Sequence, residues 1–144
     1  MSNLKKLNLN KLKPPVLVLN NEYDGISTTK KIRDLSYVSK GGENYYKNAI
    51  LIDADGNLYQ ILKAKIIDTA KWYYWLRYFS KVYRVTIFYK NNKKIILEEL
   101  KKMLKEKIKQ NEEKWLYWRG QLPEEIYEAI DKASTFEELI NLFY

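Results

Sequence analysis

The chain reads as an α+β protein, an N-terminal antiparallel sheet packed against C-terminal helices. Three observations predict this. Asp55-Gly56 lies between two short apolar runs, residues 82–90 alternate, and from Leu97 the apolar positions switch to a helical period. Strands first and helices last is the pattern of segregated α+β layers.

The first fifteen residues carry Lys5, Lys6, Lys11 and Lys13 with no acid and end at Pro14-Pro15. Their leucines (Leu4, Leu7, Leu9, Leu12) fit neither a helical nor a strand period. Residues 1–15 are therefore expected to form a basic, flexible arm, and residues 16–144 a single α+β domain. Val16–Leu19 is a short apolar run between Pro and Asn and reads as a strand. Residues 20–31 are polar and loop-like, and Ile32–Val38 suits a further short strand ending at Gly41-Gly42.

The strongest β signal is a hairpin around residues 53–57. Ala49–Ile52 and Leu58–Leu62 flank Asp53-Ala54-Asp55-Gly56-Asn57, and glycine accepts the positive φ of a tight turn without steric penalty. Residues 69–81 are the densest aromatic segment. As a helix they align Trp72, Leu76, Phe79 and Tyr83 in one stripe and put Tyr74, Arg77, Tyr78 and Lys81 on another face. A strand with alternating aromatics fits the same residues. Val82–Lys90 is a strand expected to stop at Asn91-Asn92.

Leu97, Leu100, Leu104 and Ile108 open a helix whose stripe continues through Trp115 and Trp118, so one long helix is expected to run to Gly120, a residue suited to the C′ position. Pro123 suits the first position of the next helix, with Glu124 and Glu125 in its first turn. Ser134-Thr135-Phe136-Glu137 has the form of a capping box opening a last helix.

Composition narrows the chemistry. The 144 residues include 13 Tyr and 4 Trp but no His and no Cys. The usual neutral-pH proton shuttle, the thiolate nucleophile and imidazole or thiolate metal sites are thereby missing. No serine has a histidine to take its proton, and Gly41-Gly42 lacks the spacing of a phosphate loop. Asp53-x-Asp55-x-Asn57 invites a calcium reading, but the sixth and twelfth positions of such a loop hold Leu58 and Ala64, not Gly and Glu. A Mg²⁺-dependent hydrolase would have to draw on Asp53, Asp55 and Asp68 with Lys63 or Lys65. The sequence thus predicts a non-enzymatic chain with no cofactor and no metal site.

The formal charge of +8 is unevenly placed: residues 1–110 hold 23 Lys/Arg against 10 Asp/Glu, and residues 111–144 hold 3 against 8. Such a split suits a polyanion or a partner with a matching charge division. The candidate partner-binding patch is Tyr74, Arg77, Tyr78 and Lys81, joined by Arg84 on the following strand. Rings beside guanidinium and ammonium groups suit a protein hot spot or stacked bases with phosphates. Glu124, Glu125 and Glu128 form the acidic alternative. No stretch approaches the ~20 apolar residues of a membrane-spanning helix, and Asn3, Lys5 and Lys6 interrupt any secretory apolar region. A cytoplasmic location away from membranes is expected.

Between residues 50 and 144 the order of motifs is an Asp55-Gly56-Asn57 hairpin, a Trp-rich segment and the strand Tyr83-Arg84-Val85. Leu97-Glu98-Glu99-Leu100-Lys101 then opens a helix, and Phe136-Glu137-Glu138-Leu139-Ile140 closes the chain. This arrangement resembles the small α+β immunity proteins found beside bacterial polymorphic toxins, and similar bacterial α+β families. The resemblance implies a cytoplasmic, non-catalytic inhibitor that sequesters a toxin domain. Many such proteins are acidic to match basic nuclease targets, and a chain at +8 departs from that unless its acidic C-terminal helices are the contact face. The alternative function is a basic nucleic-acid-binding accessory protein working through the N-terminal two-thirds.

Overall fold

The computed structural model describes residues 4–39, 41–71 and 81–144. Among these residues seven strands, β1 (Lys5–Lys6), β2 (Val16–Leu19), β3 (Ile26–Thr29), β4 (Tyr37–Ser39), β5 (Ile50–Ile52), β6 (Asn57–Thr69) and β7 (Val82–Lys94), form one sheet. Four helices follow: α1 (Leu97–Lys109), α2 (Glu112–Arg119), α3 (Pro123–Lys132) and α4 (Phe136–Asn141). The strand order is β1-β7-β6-β5-β2-β3, with β4 also on β7, and every pairing is antiparallel. The α+β arrangement expected from the sequence is the one observed.

Both faces of the sheet are covered near β2, and this explains why Val16–Leu19 is apolar at every position. Side chains alternate across the strand. Leu17 and Leu19 enter a core shared with Ile52, Leu58 and the helical residues Leu100, Leu104, Ile126, Ile130, Leu139 and Phe143. Val16 and Val18 face the other way, into a second core with Leu35, Tyr46, Leu51, Ile61, Val85 and Ile87.

That second core corrects the reading of an N-terminal arm. Lys5 and Lys6 pair with Tyr89 and Phe88 of β7, and Leu7 and Leu12 are buried in the core. The leucines defied periodicity because a two-residue strand and a 3-10 turn at Leu9–Lys11 present them, not one regular element. Residues 20–31 also contain more than loop: β3 pairs with β2 throughout, and Thr28 Oγ1 donates to the Ile140 carbonyl at 2.9 Å. Ile32–Val38 divides into a 3-10 turn (Ile32–Ser36) and the start of β4.

The β5–β6 hairpin forms where expected, with Gly56 at φ 83°. Asp53 organises it. Its carboxylate is fully buried and accepts from the backbone N–H groups of Asp55 (3.0 Å), Asn57 (3.0 Å) and Lys13 (3.1 Å) and from Asn57 Nδ2 (3.2 Å). An Asx turn of this kind replaces water around the carboxylate with backbone donors. β7 passes through Asn91-Asn92 to Lys94, with register shifts on β6 near Gln60, Ile61 and Ile66. β-Bulges let the long ribbon twist, and polar residues are at ease on its exposed end.

The single long helix expected from Leu97 to Gly120 is two helices. Asn111, at φ −157°, leaves the helical region and its side chain accepts from Lys114 N at 3.0 Å, capping α2. Gly120 ends α2 at φ 64°, donating to the Leu116 carbonyl. Pro123 opens α3 as expected. At α4 the cap lies one residue later than the motif suggested: Thr135 Oγ1 accepts from Glu138 N, and Glu138 reaches back to the Ser134 N–H and hydroxyl.

Candidate partner-binding site

The patch expected from the sequence is divided. Tyr74, Arg77 and Tyr78 lie outside the described residues, as do 72–80 of the segment 70–81 whose form, helix or strand, the sequence leaves open; Ala70, Lys71 and Lys81 are in neither. Lys81 is exposed just before β7, its Nζ 5.7 Å from the Tyr83 ring centroid. Arg84 is engaged within the sheet: Nε and Nη2 donate to the Asp68 carboxylate at 3.1 and 2.7 Å across the β6–β7 pair.

The carboxylates considered for metal-dependent hydrolysis are not assembled. Asp53 is used by its turn, Asp55 pairs with Lys13 at 3.4 Å, and Asp68 is held by Arg84. Asp68 is eleven positions beyond Asn57 on β6, a distance on the order of 30 Å in extended backbone. Among the described residues, no group of three or more acidic side chains is placed to hold a metal ion. The acidic alternative is on the surface of α3, where Glu124, Glu125 and Glu128 are exposed. Lys132 Nζ donates to Glu128 at 2.9 Å, and this bond holds the Glu128 carboxyl below its ordinary pKa.

A different group of rings stands out. Tyr23, Tyr117 and Trp118 are 62%, 80% and 49% exposed. Tyr23 meets Trp118 edge-on with centroids 4.7 Å apart, and Trp118 meets Tyr117 at 5.2 Å. Edge-to-face geometry of this kind adds modestly to burial and fixes the rings relative to one another.

The chain builds the cluster from both sides. Tyr23 sits in the β2–β3 turn at φ 54°, a left-handed conformation disfavoured for a bulky residue by roughly 1–2 kcal/mol. Turn contacts hold it there. Asn20 Oδ1 accepts from Glu22 N at 3.2 Å, Asn20 Nδ2 donates to the Tyr45 carbonyl, and Lys107 Nζ donates to the Asn20 carbonyl at 2.6 Å. Lys107 is partly buried by this approach, and desolvation lowers its pKa. Gly25, at φ 81°, leaves room for it: a Cβ there would lie 2.6 Å from Lys107 Cε.

On the other side, Arg119 locks α2 to the turn. Its Nε donates to Asp24, Nη2 to the Ile26 carbonyl at 2.6 Å and Nη1 to the Phe143 carbonyl at 2.9 Å. The guanidinium lies 5.1 Å from the centroid of Trp115, which is buried at 2% exposure. The planar fork satisfies three acceptors from two chain segments, a task that suits Arg and not Lys.

Sequence reasoning placed Trp118 in the core with Trp115. The break at Asn111 rotates α2 out of register with α1, so Trp115 turns inward and Trp118 outward. The signal was present as Asn111 followed by Glu112 and Glu113, an N-cap with acids in the first turn.

No protein family, curated protein or solved structure matches the chain. Among the described residues no helix is long and apolar enough to cross a membrane.

Proposed function

We propose that this chain is a non-enzymatic protein-binding module whose anchor is the Tyr23–Trp118–Tyr117 cluster. The observation that carries this reading is a set of three exposed aromatic side chains in edge-on contact, brought together from two segments that Arg119 ties to each other. Trp and Tyr dominate interface hot spots because they bury large areas with little rotamer entropy to lose. A backbone held in a sparsely populated conformation beneath an exposed ring points to function.

Charge selects the partner's character. The cluster belongs largely to the acidic C-terminal segment, residues 111–144, where Glu112 and Glu113 open α2 and Glu124, Glu125 and Glu128 line α3. The complementary surface is an apolar pocket rimmed by Lys or Arg. This is the contact face that the immunity-protein resemblance calls for in a chain of net charge +8. We therefore favour a cytoplasmic inhibitor that sequesters a basic protein domain, without catalysis or cofactor.

The test is affinity capture from the source cells with wild type and Trp118→Ala in parallel, followed by calorimetry with each purified protein that only the wild type retains. Trp118→Ala is expected to weaken that complex by about 2 kcal/mol, roughly thirtyfold, with an unchanged melting temperature. Equal retention and equal affinity would remove the cluster from the reading. Arg77→Glu, measured against the same partner, tests whether the patch expected from the sequence contributes.

A further inference from the structure

β1, β7 and β6 continue side by side beyond the reach of β5, whose pairing with β6 stops at Gln60. In this ribbon Ala64, Val85 and Ile87 turn into the second core. Lys63, Lys65, Thr86 and Phe88 occupy the alternate positions and turn to the other face. The register sets Lys6, Phe88 and Lys63 on one rung and Lys65 with Thr86 on the next. Opposed residues on neighbouring strands share a face, with Cβ atoms about 5 Å apart. Phe88 is thus flanked on each side by a lysine, and Lys65 follows about 7 Å along the strand.

Among the described residues these cations have no acidic partner. Lys6, Lys63 and Lys65 are exposed. Asp68, further along the same face, is already held by Arg84.

We infer that this face of the β1–β7–β6 ribbon binds single-stranded nucleic acid, with Lys6, Lys63 and Lys65 against backbone phosphates and Phe88 stacking on a base. An aromatic ring between cations, with a further cation at strand spacing, matches a polymer that alternates flat rings and phosphates. An acidic polypeptide offers carboxylates but no regular succession of rings, and a duplex hides its base faces. The site uses none of the residues of the Tyr23–Trp118 cluster, so the two readings stand or fall separately.

Fluorescence anisotropy of the full chain with a labelled oligo-dT, the equivalent RNA and a duplex of the same length tests the site from about 50 to 200 mM salt. Single strands are expected to bind more tightly than duplex, with a log–log salt slope near about −2 for three phosphate contacts. Lys63→Gln/Lys65→Gln should bring that slope toward about −0.7 and weaken binding at least about tenfold. Phe88→Leu, which keeps an apolar side chain, should weaken it at least about fivefold. Circular dichroism of each variant establishes that it is folded, and Trp118→Ala should bind the oligonucleotide as wild type does. Four results would overturn the inference: no binding at about 50 mM salt, equal affinity for duplex, wild-type affinity in either sheet variant, or equal competition by polyglutamate. The lysines would then serve to keep the exposed ribbon from pairing edge to edge.

Discussion

Removal of the Asp53 side chain strips the acceptor from three backbone N–H groups at once. Each buried donor left unpaired costs about 1–3 kcal/mol, and the loss reaches two segments, because Lys13 N is tied to the hairpin through the same carboxylate. Asp53→Ala is therefore expected to lower stability by about 3 kcal/mol or more, read as a shift in the urea midpoint at constant m-value. A midpoint within experimental error of wild type would mean that water replaces the carboxylate. Gly56 is the second residue on which the turn depends. A Cβ there would lie 2.8 Å from Phe136 Cζ and 2.9 Å from the Ile95 carbonyl oxygen, at a φ of 83°. Gly56→Ala should cost about 2 kcal/mol, again measured by urea unfolding. Asp-Gly announced the turn in the sequence, but nothing local revealed that Asp53 would be buried or that Lys13 would share its carboxylate.

Among the elements, the break between α1 and α2 has the greatest consequence. Asn111→Ala removes the bond to Lys114 N and should cost about 1 kcal/mol of stability. Because the cap sets where Trp118 points, the same substitution should shift the tryptophan emission maximum. An unchanged spectrum with wild-type stability would show that the break is imposed by packing alone. At α4, the Ser134 N–H (2.8 Å) and hydroxyl (2.9 Å) donate to Glu138 Oε2 and lower its pKa. A carboxylate whose folded pKa is depressed stabilises the fold above its ordinary value of 4.5 and loses that contribution as pH falls through the folded value. Thermal unfolding between about pH 6 and 3 should accordingly be less pH-dependent in Glu138→Gln than in wild type. Both caps were signalled in the sequence by Asn or Thr ahead of paired glutamates. Apolar periodicity ran across the Asn111 break, because Trp115 and Trp118 both satisfy a helical stripe that only tertiary packing can orient.

For the whole molecule, two cores on opposite faces of one sheet make stability sensitive to alkali. Tyr46 is buried in the second core, its hydroxyl donating to the Leu35 carbonyl at 2.7 Å, and burial raises its pKa. Burial and the bond to Glu112 push Tyr127 up to about 12 from an ordinary 10.0. A phenol whose folded pKa lies above its unfolded value stabilises the fold fully below about pH 10 and ceases to do so as pH rises through the folded value. Urea midpoints should therefore fall between pH 10 and 12, and less steeply in Tyr127→Phe. A decline of the same slope in that variant would assign the effect to Tyr46 and other groups. The charge split also belongs to this scale: it is visible from composition, whereas its division into a basic ribbon face and an acidic helical face arises from the fold.

By itself the sequence determined the class of several main elements, because turn chemistry, alternation and helical periodicity are local. The 53–57 hairpin, the strand from Val82, the helix from Leu97 and the proline start of α3 all follow from neighbouring residues. Tertiary structure decided what local rules leave degenerate. The leucines of the first fifteen residues find a core only once β7 is beside them, Asp53 becomes buried only when Lys13 closes over it, and Trp118 meets Tyr23 only where Arg119 fastens α2 to the β2–β3 turn. In each case the deciding partner lies far away along the chain, and burial is a property of that meeting.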